Sequence, residues 1–547
     1  MKIHVHNNVA IAPVGFDSVV ISVLPRLEGR KKWVKDMGLQ FEASTFNLRL
    51  FQDELGAEIV DHRPKLLPSR YVKQYTQKTS PLPHQLLAIE AAKEKDNFAL
   101  WMDVGTGKSW LAIYLMGLRY VNKLITGVIV ISPKGVHTQW IAEQIPEHIN
   151  VPWRGTVWEN KKSVLDEINR PCDKALDILS IHIDGIVSPK SEPALKSFIE
   201  KHKGKLFIVL DEADMIKNYA SKRHARLEEF REAARYRLEM TGTPAPLNLI
   251  DIWSQFLWLD PNILGMETVT AFKREFCIFG GFRNRDIIGY RDIARFKKLI
   301  DPYNFTVTSA EVGVLPPAEV RWRFNMADDQ RKAYDDIKDR LIVELEEGSD
   351  ISVPDTAVKF LRLQQVASGF LMHKGENIKT FQNPRLDALS EVIEAREPKK
   401  ATIWCRFHHD IDQIMGLLGE GAVEYSGRTD DYSRRKAIDA FLDPKSNIRF
   451  FVATAAAGGV GLNLQGDALL SVFYTNTYSA RDRWQAIGRT SRLGAKGRVE
   501  IVDLMCRNST DNGIITNLRR KRNIQDIATK ELINMLKNGE DGDYDYS

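Results

Sequence analysis

Cysteine is scarce in this chain: four residues, Cys172, Cys277, Cys405 and Cys506, are scattered over 547 positions. They show neither the paired spacing of zinc ligands nor the density of a disulfide framework, so a reducing compartment is expected. No apolar run approaches the ~18 residues a membrane span needs. The opening MKIHVHNNVAIAP lacks a long apolar stretch ahead of a small-residue cleavage site, which argues against secretion. A cytoplasmic location is expected, or a nuclear one for a eukaryotic source. Charge of one sign is also in short supply. Lys and Arg total 77 against 72 Asp and Glu, a net of +5, so overall balance does not announce a nucleic-acid binder. Internal repeats of solenoid type are absent.

The basic residues that are present cluster. Arg26, Arg30, Lys31, Lys32 and Lys35 crowd one segment, and Arg519, Arg520, Lys521 and Arg522 form another. The terminal NGEDGDYDYS carries acids and no base, and reads as a disordered, solubilising tail over residues 531–547. Residues 1–75 read as a small α/β domain, with a strand at 19–25 and a helix at 44–55. A turn-rich connection at 67–83 follows. From there apolar strands alternate with amphipathic helices, the signature of parallel α/β sheets. One strand series (97–105, 127–133, 206–214, 236–244) precedes a largely helical stretch from about 250 to 396. A second series (400–407, 422–427, 448–459, 469–476, 498–505) comes after it. The fold class expected is α/β: two RecA-like parallel-sheet lobes, 76–310 and 311–530, with helical insertions and the small N-terminal domain.

Two motifs carry the chemistry. Asp103-Val104-Gly105-Thr106-Gly107-Lys108-Ser109 follows a strand and opens a helix. Its glycines let backbone N–H groups turn toward phosphate, Lys108 can reach the β- and γ-phosphates, and Ser109 can hold Mg²⁺. A full Walker spacing would place one more glycine at position 102, where Met102 stands. About a hundred residues on, Asp211-Glu212-Ala213-Asp214 closes an apolar strand. A carboxylate there suits Mg²⁺, and Glu212 beside it can orient and deprotonate an attacking water.

With these motifs in view, the chain resembles the Swi/Snf-type ATPases, a branch of the superfamily-two helicase-like motors. Leu82-Pro-His-Gln85 is similar to the family segment whose glutamine contacts adenine. Ile131-Ser-Pro-Lys, with Gln139, Trp140 and Glu143, is similar to the motif after the phosphate loop. Asp211 to Asn218 resembles the acidic box, Thr241-Gly-Thr-Pro244 the motif that couples hydrolysis to movement, and 249–261 the helix after it. Tyr425-Ser-Gly427 with Arg434 and Phe441, the glycine-rich Ala457 to Leu464, and Gln485-Ala-Ile-Gly-Arg489-Thr-Ser-Arg492-Leu-Gly494 resemble the motifs of the second lobe. The resemblance runs over roughly 81–510. It implies ATP and Mg²⁺ as cofactors, with Asp211 and Ser109 on the metal. Gln85, the 103–109 loop and Gly461 are implied at the nucleotide. Arg489 and Arg492, one helical turn apart, are implied to complete the site from lobe two. It also implies a DNA-stimulated ATPase that translocates on duplex or branched DNA through backbone contacts, without sequence specificity, and acts as a monomer.

Departures from the family pattern are equally plain. Asp214 stands where the family usually has His, and Ala245-Pro246-Leu247 replaces Leu-Gln-Asn. The segment 307–316 lacks an Arg-Arg-x-Lys stretch, and no insertion resembles a chromatin-reading domain, so bare DNA is the expected track. The segment from Leu24-Pro25 through Gly29-Arg-Lys-Lys-Trp33 is similar to the substrate-recognition domain of annealing helicases. Two alternatives stay open: a DEAD-box-type RNA helicase, from the literal tetrapeptide, and a nucleotide-gated scaffold that does not translocate.

Overall fold

The computed structural model describes residues 2–6, 9–12, 31–34, 38–42, 51, 57–61, 71–242, 249–280, 286–346, 353–373, 377–458 and 462–519. The chain divides into two compact units, Met1–Gln74 and Tyr75–Ser547. Among the described residues, no helix is long and apolar enough to cross a membrane.

The first unit is a five-stranded sheet. Strands β1 (Lys2–His6), β2 (Val9–Ala12), β3 (Lys31–Val34), β4 (Gly38–Glu42) and β5 (Glu58–Asp61) take the order β3-β4-β2-β1-β5. All neighbours are antiparallel except β1 and β5. Lys31, Lys32 and Trp33 of the basic segment fall on β3. The strand expected at 19–25 and nearly all of the helix expected at 44–55 lie outside the described residues. Phe51 is helical and fully buried.

In the second unit, lobe one is a seven-stranded, wholly parallel sheet. Its strands are β6 (Asn97–Met102), β7 (Gly127–Ser132), β8 (Trp153–Val157), β9 (Leu176–His182), β10 (Leu206–Asp211), β11 (Tyr236–Thr241) and β14 (Asn304–Val307). They run in the order β14-β6-β11-β10-β7-β9-β8. Both faces are covered, which is why these strands read as unbroken apolar runs rather than alternating ones. Ala99, Ile129, Ile131, Ile208 and Leu210 pack into one core, while their neighbours Phe98, Leu100, Val128, Val130 and Val209 pack into the other. Strands β6 and β10 each end in a polar loop at the carboxyl edge, where an open parallel sheet binds its ligands.

Lobe two repeats the arrangement with six parallel strands: β15 (Ala318–Phe324), β18 (Lys400–Cys405), β19 (Ala422–Tyr425), β20 (Phe450–Thr454), β21 (Ala468–Phe473) and β22 (Glu500–Cys506). Their order is β15-β22-β21-β18-β20-β19. Here too Ile403, Val452 and Val472 face one core and Trp404, Phe451 and Phe473 the other.

The stretch from 250 to 396 is less helical than expected. It holds two antiparallel hairpins, β12 (Cys277–Gly280) with β13 (Asp286–Tyr290) and β16 (Phe370–His373) with β17 (Asn377–Thr380). It also holds β14 and β15, which complete the edges of the two large sheets. An edge strand is only half buried: in β15 Val320, Trp322 and Phe324 pack on the core while Glu319, Arg321 and Arg323 alternate with them. That alternation lacks the apolar run by which the central strands announce themselves.

Candidate functional site

The loop after β6 turns through two left-handed glycines, Gly105 at φ +83° and Gly107 at φ +88°, a conformation that costs other residues. Gly107 caps the helix Lys108–Val121, whose N-terminus therefore points at the loop. The loop is braced from behind. The His84 Nε2 and the Thr106 carbonyl are 2.7 Å apart, and the Gln85 amide donates to the Gly107 carbonyl at 3.2 Å while its oxygen accepts from the Leu82 N–H. Gln85 is thus buried and engaged on both ends with backbone, bracing the phosphate loop. Asp103 likewise serves from the rear: its carboxylate accepts from the Ser309 N–H at 2.7 Å, which ties the loop to the end of β14. The fully buried Thr106 donates its hydroxyl to the Asp103 carbonyl.

Val104, Gly105, Gly107, Lys108 and Ser109 line a cavity of about 560 Å³, within the roughly 300–1,000 Å³ of small-molecule sites. Asp211, Glu212 and Trp140 line it from the same lobe, and Asn463, Gln485, Arg489 and Arg492 from the other. Lys108 donates to the carbonyls of Met102 (2.7 Å) and Asp103 (3.2 Å), folded back on its own loop. Burial pulls its ammonium down, and the charges of Glu212 and Asp211 hold it up. Burial pushes the Asp211 carboxyl up, with Glu212 adding to the effect and Lys108 opposing it. The Trp140 indole donates to this carboxylate at 3.3 Å. Trp140 opens a single π-helical turn, Trp140–Gln144, a rare geometry that here aims both Trp140 and Glu143 into the cavity. Glu212 sits at φ 58°, ψ 60°, left-handed for a residue with a Cβ. Such strain persists only where the surroundings impose it.

The lobe-two contribution comes from the helix Ala480–Thr490. It ends one residue past Arg489, so Arg492 is not on the helix and the expected one-turn spacing does not apply. Ser491 breaks the run at ψ 86°, and a left-handed Gly494 follows. Both arginines nevertheless reach the cavity. Arg489 donates to the carbonyls of Gln485 and Leu462, each at 3.1 Å. Burial, with Arg492 alongside, brings it down to about 10, so it stays charged at neutral pH. Arg492 lies over the phosphate loop: a Cβ built on Gly105 would stand 2.5 Å from the Arg492 Cβ. Among the described residues, its Nε is buried without a hydrogen-bond partner.

Gly488 makes the other close approach, since a Cβ there would meet Val104 at 2.6 Å. Gly488→Ala should therefore hold the lobes apart without disturbing either core. Overpacking of about 1–3 kcal/mol falls on the closed arrangement alone. Turnover should drop by roughly tenfold or more while the melting temperature barely moves, as a thermal scan beside a turnover assay would show. Equal turnover in the variant would mean that this contact is not part of the working state.

Asp214 does not face the cavity. Its carboxylate meets Arg481 of the Ala480–Thr490 helix, a residue that the motif reading passed over. Gly461 and residues 243–247 lie outside the described residues; Thr241 is buried, and Gly242 packs against Val104 and Lys108. Among the described residues no cluster of three His, Cys, Asp or Glu could hold a metal by itself. Asp211 with Ser109 fits instead a cation that brings most of its ligands on a phosphate chain, as Mg²⁺ does.

Residues 73–368 match the model of the SNF2-related domain, and residues 384–494 that of the helicase conserved C-terminal domain. The ISWI chromatin-remodeling complex ATPase ISW1 of Saccharomyces cerevisiae is 25% identical over 459 residues, covering 80% of this chain and 39% of the relative. An uncharacterized ATP-dependent helicase of Mycoplasma pneumoniae is 25% identical over 335 residues, 60% of this chain and 30% of the relative. The Sulfolobus solfataricus SWI2/SNF2 ATPase core in complex with dsDNA aligns at a TM-score of 0.39 and 20% identity, over 85% of this chain and 98% of that one. The chain spans about two fifths of the length of the first curated relatives it matches.

Proposed function

The chain belongs to the SNF2-related family, and we propose that it is an ATP-hydrolysing motor that moves along double-stranded or branched DNA. The observation that carries this reading is the single cavity lined by Lys108, Asp211 and Glu212 from one lobe and by Arg489 and Arg492 from the other. A site divided in this way is complete only when the lobes are together, so each hydrolysis event can be linked to a change in their separation. Phosphoryl transfer is governed by positioning and by charge neutralisation. Glu212 takes a proton from the water that attacks the γ-phosphorus, the bond to the β–γ bridging oxygen breaks, and Lys108 meets the charge left on ADP. The two guanidinium groups offset the charge on the transferred phosphoryl group. Asp211 and Ser109 would hold Mg²⁺, which when bound would supply charge neutralisation along the phosphate chain.

DNA as the track is supported by relatives named as chromatin-remodelling ATPases and a DNA helicase. It is supported also by a second cavity of about 630 Å³ lined by Lys217, Lys222 and Ser479, with Arg223 paired to Asp184 and Arg481 to Asp214 on its wall. Cations in such a groove favour a phosphate backbone over any base, giving salt-sensitive and sequence-blind binding. The basic segment that includes Lys31 and Lys32 gives the N-terminal unit a role in holding DNA substrate.

The test compares ATP turnover with single-stranded, duplex and forked DNA and with RNA in one low-salt buffer. Duplex or forked DNA should stimulate most. Stimulation by RNA alone would move the protein to the RNA helicases, and turnover that no polymer raises would leave a nucleotide-gated scaffold.

A further inference from the structure

Arg481 is the second residue of the Ala480–Thr490 helix, whose first turn is opened by the Ser479 hydroxyl accepting from the Asp482 N–H. A cation is ill placed there, because the amino end of a helix carries partial positive charge. Something outside the helix holds it. Arg481 Nε lies 3.4 Å from the Asp214 carboxylate of lobe one, and both side chains are largely buried. The charges of Asp214, Glu212, Asp482 and Asp211, in that order, offset the burial of Arg481. The contact is not fully made: among the described residues, the Nε and the second Asp214 oxygen each lack a hydrogen-bond partner. A charged hydrogen bond of full strength is nearer 2.7–2.9 Å, so a small further closure would tighten it.

What Asp214 is attached to gives the contact its meaning. Asp214 lies within the short turn Ala213–Ile216, which starts at the strained Glu212 and is closed by the Met215 N–H donating to the Glu212 carbonyl at 3.0 Å. At its other end the same helix lays Gly488 on Val104 and carries Arg489 into the nucleotide cavity. One rigid element thus touches the turn that carries Glu212 and the cavity that Glu212 faces.

We propose that Asp214 and Arg481 form an inter-lobe positioning pair, which fixes the turn bearing Glu212 when the lobes close and so ties activation of the water to closure. The pair acts through Glu212 and does not touch nucleotide. It accounts for an acid at position 214: burial pushes that carboxyl up to about 7 and Arg481 is the main charge holding it down, a pull that an imidazole, neutral or cationic, could not return. The inference rests on the motor reading.

The experiment is a double-mutant cycle on the full chain: Asp214→Asn, Arg481→Gln and both together, assayed with saturating duplex DNA. Each single change should lower kcat by about tenfold with the KM for ATP within about twofold, and the double variant should be no worse than either, the mark of two residues acting as one unit. Arg481→Lys, which keeps a cation, should retain more activity than Arg481→Gln. Independently of turnover, amide exchange in Arg481→Gln should quicken at residues 212–217 and stay unchanged in both sheets. Effects that multiply in the double variant, or a raised KM with kcat intact, would overturn the pair. Loss of exchange protection across the whole lobe would overturn it as well, since it would assign Arg481 to the fold. Should the wild type show no polymer-stimulated turnover, the motor reading fails, and the exchange measurement still decides whether the pair holds the turn.

Discussion

Glu212→Gln is expected to bind ATP and duplex DNA as the wild type does, yet to turn over ATP about 10²–10⁴-fold more slowly, the usual worth of a positioned general base. The amide is nearly the size and shape of the carboxylate, so it keeps the left-handed backbone of residue 212 and the closing bond from Met215 to its carbonyl. What it loses is the ability to accept a proton from water. The electrostatics of the site favour retained binding. Asp211 is pushed up by burial and then by the Glu212 charge, so neutralising residue 212 relieves the second effect and leaves Asp211 easier to ionise. The carboxylate proposed to hold the metal therefore survives. Single-turnover hydrolysis beside equilibrium binding of a fluorescent nucleotide separates these two consequences. Wild-type turnover in the variant would show that some other group activates the water, and Glu143, which lines the same cavity, would be the next residue to test.

How much of this was legible in the sequence follows from burial and from chain distance. The central strands of both lobes are buried on both faces, so they declare themselves as apolar runs. Strand β8 and the late arrivals β14 and β15 lie at sheet edges and do not; β9 carries Asp177, Ser180 and His182 within it, which interrupt its run. In the site, residues local to a motif could be named because the loop and the acidic turn are each contiguous. Contacts between distant segments could not be. That Gln85 braces Gly107, that Asp103 turns away to Ser309, and that Arg481 meets Asp214 across 267 positions of sequence all depend on tertiary placement. One such signal was present all the same. An arginine at the second position of a capped helix opposes the helix dipole, and a residue that violates a local preference points to a partner elsewhere. The spacing of Arg489 and Arg492 misled in the opposite direction, since three residues suggest one helical turn, whereas the helix stops between them.

Arg492→Ala should leave nucleotide binding largely intact and slow hydrolysis by about 10³-fold, the lower end of what an arginine finger supplies to phosphoryl transfer. Two observations set this residue apart from Arg489. Arg489 spends hydrogen bonds on the Gln485 and Leu462 carbonyls of its own lobe, so its removal also loosens the packing there. Arg492 is half-buried against Gly105 of the opposite lobe, its Nε buried and unpartnered among the described residues, and burial alone pulls its guanidinium down. A cation drawn partly out of water without a counter-charge is costly unless an anion arrives to meet it. The phosphate chain over the glycine loop is placed to be that anion, and the charge it gains in the transition state is where the offset grows. Arg492→Lys should then rescue little, because an ammonium on a shorter reach offers a point charge in place of the planar fork that spans two phosphate oxygens. The comparison of kcat for Ala, Lys and wild type at saturating ATP and DNA reads this out. If Lys restored most of the rate, charge alone would suffice and the orienting role assigned to the guanidinium would be lost. If Ala kept the full rate, the division of the site between the two lobes, on which the motor reading stands, would have no chemical purpose.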